Sequence, residues 1–101
     1  MMQDLPEELV QSLRQRLLTR AAATRDAIDQ FLAEPAEPLS GTIAESAHKL
    51  AGIAATLGYP DLGDAAAKVD MTTIGCPPDP QTIQVLGLLR SALGEALDRS
   101  A

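Results

Sequence analysis

A helix interior excludes proline, which lacks the amide hydrogen of the i→i−4 bond and clashes with the turn before it. Here the internal prolines gather at three places, "AEPAEP" (Pro35, Pro38), "GYPD" (Pro60) and "GCPPDP" (Pro77, Pro78, Pro80), and the stretches between them carry apolar residues at spacings of three and four. Three breaks in a helically patterned chain read as four helices, with no strand alternation anywhere.

The first stripe runs Val10, Leu13, Leu17, Ala21, Thr24, Ile28 and Phe31. Asp4 with Glu7 three residues on reads as a capping box at its start, and the prolines of "AEPAEP" end it. A second helix is expected to begin near Ser40 to Thr42, where Thr42 and Glu45 form a second cap, and to bury Ile43, Ala47, Leu50, Ala54 and Leu57. Gly58 suits a left-handed closing residue, Pro60 prevents resumption and Asp61 suits the next N-cap. The third helix presents Leu62, Ala65, Val69 and Thr73. Asp79 as cap and Pro80 at the first helical position open a fourth, with an inner stripe of Ile83, Leu86, Leu89, Leu93 and Leu97 running to about Arg99. Short connections make sequential helices antiparallel neighbours, so the expected fold is all-α, an up-down-up-down antiparallel four-helix bundle, with residues 1–101 as one domain.

Composition narrows the function. Hydrophobic residues make up 46% of the chain, yet Phe31 and Tyr59 are the only aromatics, so the core is built from close-packed Leu, Ile, Val and Ala. A net charge of −6 with so few rings argues against nucleic acid and for a protein partner. No apolar run approaches the roughly 18 residues of a membrane span, and no export segment opens the chain. Cys76 alone forms no internal disulfide, and one Cys with one His cannot supply a zinc site, so no metal site and a reducing, cytoplasmic setting are expected.

The single histidine lies in "AHKLAGIAATLG", residues 47–58. His48 falls at the edge of the buried stripe, where water reaches it. Helical side chains lean toward the N-terminus, so a large residue at position 51 or 52 would cover the imidazole, whereas Ala51 and Gly52 leave it bare. Glycine within a helix costs on the order of 1 kcal/mol relative to alanine, and either access to His48 or close helix packing is the compensation. Ala44, Ala51, Gly52 and Ala55 make a small-residue patch that suits partner docking and packing within the bundle equally well.

The stretch "AHKLAGIAATLGYPDLGDAAAKVD", Ala47 to Asp70, resembles the signature of histidine-containing phosphotransfer (HPt) domains of two-component phosphorelays, matching at His48, Leu50, Gly52, Gly58 and Leu62. In that family the signature spans the second and third helices of a four-helix bundle. The resemblance implies that His48 accepts a phosphoryl group from one receiver-domain aspartate and passes it to another. Its partners would be response-regulator receiver domains, including the receiver of a hybrid histidine kinase. Near neutral pH a free imidazole is mostly uncharged and keeps a lone pair able to attack phosphorus. With no glycine-rich phosphate loop, the chain is expected to be a phosphocarrier without kinase activity or cofactor of its own, the magnesium arriving on the receiver.

The chain departs from the family at Ala51, where many members have lysine three residues after the histidine. Lys49 and Lys68 are the only cations between Asp26 and Leu89 and stand as candidates for the phosphate side. If the hairpin turns around residue 59, His48 lies level with residue 70, and Lys68 is displaced by about 3 Å along the axis. The alternative function is a helical-bundle adaptor that binds a signalling partner without accepting phosphate.

Overall fold

The computed structural model describes residues 6–100. Four helices form in order: α1 (Glu7–Ala33), α2 (Glu37–Ile53), α3 (Pro60–Asp70) and α4 (Pro80–Arg99). Each packs on two neighbours, α1 against α2 and α4, and α3 against the same two, which closes an up-down-up-down antiparallel bundle 44 × 24 × 20 Å in extent. No strand occurs among the described residues.

The buried stripes are those the periodicity predicts for α1 from Leu17 onward and for α2, with Phe31, Ile28, Ile43 and Leu50 among the largest fully buried side chains. On α4 the centre of the expected stripe, Leu86, Leu89 and Leu93, is buried, and its two ends are each displaced by one residue. Thr82, Leu86, Leu89, Leu93 and Ala96 are buried, whereas Ile83, expected inside, is 46% exposed and Leu97 is only half-buried. At each end either of two adjacent residues satisfies the three-and-four spacing, and contact with both α1 and α3 selects between them.

Helix starts differ from expectation for one physical reason: proline is harmless in a first turn, whose amide hydrogens have no intrahelical acceptor. Pro38 therefore does not delay α2, which begins at Glu37 with Pro38 in its first turn. Ser40 and Thr42 lie inside the helix and donate their hydroxyls back to the carbonyls of Glu37 and Pro38 rather than capping it. Pro60 is itself the first residue of α3, which puts Tyr59 at the cap and Asp61 in the first turn. At α1 the cap position is Pro6, with no side-chain cap; Asp4 lies outside the described residues. Thr73, expected on the α3 stripe, lies beyond the helix and is exposed.

One start matches the reading closely: Asp79 caps α4, its carboxylate accepting the Thr82 amide at 2.7 Å. The stop of α2 does not, because the helix ends at Ile53, before the expected close at Gly58, and Ala54 and Leu57 are buried from the turns that follow it. Gly58 ends those turns at φ +100°, a left-handed conformation that L side chains rarely adopt.

The α2–α3 turn is tied to the end of α4. Ser100 Oγ donates to the Ala96 carbonyl, so the 2.8 Å contact between the Tyr59 and Ser100 hydroxyls has tyrosine as donor. Arg99 lies over the Tyr59 ring, 5.5 Å from its centroid. The α2–α3 hairpin, which carries the only histidine, is thereby held against the rest of the bundle.

Candidate functional site

Ile43, Ala47 and Leu50 point into the core, and at 100° per residue His48 stands at the margin of that stripe on the side of α3. Its side chain is 76% exposed, as the edge position predicts. The hairpin register also follows the reading. His48 lies level with Asp70, the last residue of α3, and Nδ1 is 3.1 and 3.2 Å from the two carboxylate oxygens.

That contact sets the state of the ring. An ionised carboxylate only accepts hydrogen bonds, so Nδ1 carries the proton and donates it to Asp70. In the neutral imidazole the lone pair is then on Nε2, the ring nitrogen not engaged by Asp70. The arrangement is an exposed nitrogen nucleophile whose ring is oriented by a second residue.

One turn along α2, Gly52 is exposed, and a methyl group built on it would meet no atom within 4 Å. Close packing within the bundle therefore does not account for this glycine. Gly63 on α3 is the packing glycine, since a methyl there would lie 3.3 Å from the Ala55 backbone nitrogen. Ala44 and Ala51 on α2 are half-buried and Ala55, in the turn after it, is exposed, so together with Gly52 they place small residues on the flank of His48.

The sequence model of the Hpt domain matches residues 7–100, nearly the whole described length. The chain belongs to the Hpt domain family. Hpt domains are phosphotransfer modules of two-component signalling that act as phosphocarriers rather than kinases and interact with receiver domains. No curated protein and no solved structure gives a significant match. Among the described residues of this Hpt domain, no helix is long and apolar enough to cross a membrane. Among its described residues, no group of three or more His, Cys, Asp or Glu is placed to hold a metal ion.

Neither candidate lysine of the Hpt domain contacts His48. Lys49 Nζ donates to Glu45 one turn back on α2, at 3.1 Å. Lys68 precedes Asp70 by two residues, a rotation of roughly 200° about the helix, so Lys68 projects on the other flank of α3 from the one that meets His48. The scarcity of cations and the axial distance make Lys68 a candidate in the sequence, and the rotation about α3 turns it away from the flank that meets the imidazole.

Asp70 is the site residue that sequence reading overlooked. The signal was present, because the hairpin register puts position 70 beside His48 and a carboxylate there is a ready partner for a ring N–H. Cys76 is exposed and takes no part.

Proposed function

We propose that His48 is the phosphoacceptor of this Hpt domain, relaying a phosphoryl group between receiver-domain aspartates. The observation that carries the reading is the Nδ1 contact with Asp70, which leaves Nε2 as the nucleophile on an exposed ring. Nε2 attacks the phosphorus of a receiver's aspartyl phosphate; the N–P bond forms as the P–O bond breaks, and the electron pair returns to the aspartate carboxylate. The Nδ1 proton stays in place, so the phosphorylated ring is formally cationic, and Asp70 lies against that charge. Transfer to a second receiver reverses these steps. Charge on the transferring oxygens is neutralised from the partner's side, where the receiver contributes the magnesium ion. Ala44, Ala51, Gly52 and Ala55 serve as the low surface on which the receiver approaches.

The test is phosphate transfer from a panel of purified, phosphorylated receiver domains to the wild type, His48→Gln, Asp70→Asn and Asp70→Glu. An acid-labile, alkali-stable label is expected on the wild type and absent from His48→Gln. Asp70→Asn slows transfer roughly tenfold by removing a charge-assisted hydrogen bond, and Asp70→Glu recovers part of it. Because Asp70 acts through the ring, Asp70→Asn also shifts the imidazole tautomer populations seen by nitrogen NMR, which a merely structural role would not do. A receiver that binds the wild type without labelling it would replace this reading with the adaptor.

A further inference from the structure

At the end of the bundle where α2 turns into α3, an open groove of ≈ 560 Å3 lies between α1, that turn and the last residues of α4. Neither His48 nor Asp70 lines it, and its volume is that of a small-molecule site. Gln11, Arg14, Gln15 and Leu18 recur at spacings of three and four, so one face of α1 forms a wall, and Arg99 enters from α4. No carboxylate is among its described lining residues, although the chain carries 14 acidic residues against 8 Lys and Arg. Two guanidinium groups from different helices thus share one groove, against the −6 balance of the whole chain.

The polar groups of the groove differ in what they still offer a ligand. Tyr59 gives its hydroxyl proton to Ser100, and Ser100 gives its own to the Ala96 carbonyl, so toward a ligand both hydroxyls only accept. The Arg14 guanidinium carries five N–H donors, and the side-chain amides of Gln11 and Gln15 carry two each. Arg99, 5.5 Å from the centroid of the Tyr59 ring, keeps a second cation beside the accepting hydroxyls. The groove therefore calls for a ligand that has a strong anionic acceptor and also hydroxyl donors. A phosphate monoester supplies the first, because its three terminal oxygens accept from more than one fork of N–H groups, whereas the two oxygens of a carboxylate are filled by one arginine. Leu18 and Leu57 offer apolar contact to the carbon skeleton between the two ends.

We infer that this groove binds a small phosphate monoester with a hydroxylated, sugar-like body, the phosphoryl group held by Arg14 and Arg99 and the hydroxyls donating to Tyr59 and Ser100. The site is separate from His48 and does not depend on phosphotransfer there. Because the groove touches α1, the α2–α3 turn and α4, a bound ligand joins three elements that meet at this end and stabilises the folded state.

The experiment titrates the wild type with glucose 6-phosphate, inorganic phosphate and glucose at constant ionic strength, followed by backbone amide NMR shifts and by melting temperature. Glucose 6-phosphate is expected to give saturable shifts at Gly58, Tyr59 and Ser100 and to raise the melting temperature. Inorganic phosphate and glucose each carry half of the recognised chemistry and bind at least about tenfold more weakly. Arg14→Gln/Arg99→Gln weakens glucose 6-phosphate by at least about tenfold, as loss of charge-assisted hydrogen bonds requires. If removal of Arg99 loosens the turn at Tyr59, Arg14→Gln alone, at an exposed position of α1, reads the same loss. His48→Gln binds the ester as the wild type does. Shifts that do not saturate, shifts centred on His48, undiminished affinity in the arginine variants, or inorganic phosphate binding as tightly as the ester would each overturn the proposal.

Discussion

At position 52 a methyl group would touch nothing, yet the chain keeps a residue that weakens its helix. Gly52→Ala is therefore expected to stabilise the fold by about 0.5–1 kcal/mol, measured by urea denaturation. Gly52→Phe tests what the glycine leaves open. Its ring would lean toward the N-terminus of α2 and over His48, so transfer from a receiver should slow by about 10–100-fold, as expected when an approaching group is displaced by an ångström or so. Its melting temperature should remain close to that of the wild type. Gly63 is the internal contrast, because there the same methyl meets the backbone at Ala55.

At the scale of the element, α4 depends on its first turn. Pro77, Pro78 and Pro80 supply no amide hydrogens before Gln81, and the Asp79 carboxylate accepts the Thr82 amide. Its hydrogen bond to the Thr82 backbone, with help from the Thr82 side chain, holds the Asp79 carboxyl below its ordinary value of 3.8. A group whose folded value is lowered contributes stability that is complete above the unfolded value and is lost as pH falls through the folded one. Asp79→Ala is thus expected to lower the melting temperature at pH 7, and Asp79→Asn, also a good cap, to retain most of it. Below pH 3.8 the difference between wild type and Asp79→Ala should shrink steadily. Thermal melts across that range, followed by circular dichroism, make the comparison.

For the whole molecule the question is how much of the stability runs through one core. Phe31 is the only phenylalanine, is fully buried, and lies near the end of α1, the longest helix. Truncation to alanine removes the largest fully buried side chain and should cost about 3–5 kcal/mol. Stability in domains of this size is about 5–15 kcal/mol, so Phe31→Ala consumes much of it. If residues 1–101 fold as one domain, the wild type and Phe31→Ala unfold in single transitions seen alike by circular dichroism and tyrosine fluorescence. Noncoincident transitions would mean separate cooperative units.

How much of this was legible in the chain depends on whether the cause is local. Proline positions, apolar spacing, the Asp79 cap and the Gly58 turn act through residues within a turn of one another, so four helices, their antiparallel order and the exposure of His48 follow from sequence. Helix starts were displaced at Pro38 and Pro60 because the same residue that breaks an interior is tolerated in a first turn, and spacing does not say which applies. Rotation is the quantity that no single helix contains. Only the packed bundle decided that α4 buries Thr82 rather than Ile83, that Asp70 and not Lys68 faces the imidazole, and that Arg14 and Arg99 share one groove. Each depends on how a helix is turned about its own axis against its neighbours. The summed contacts of several helices set that angle; the pattern along any one of them does not.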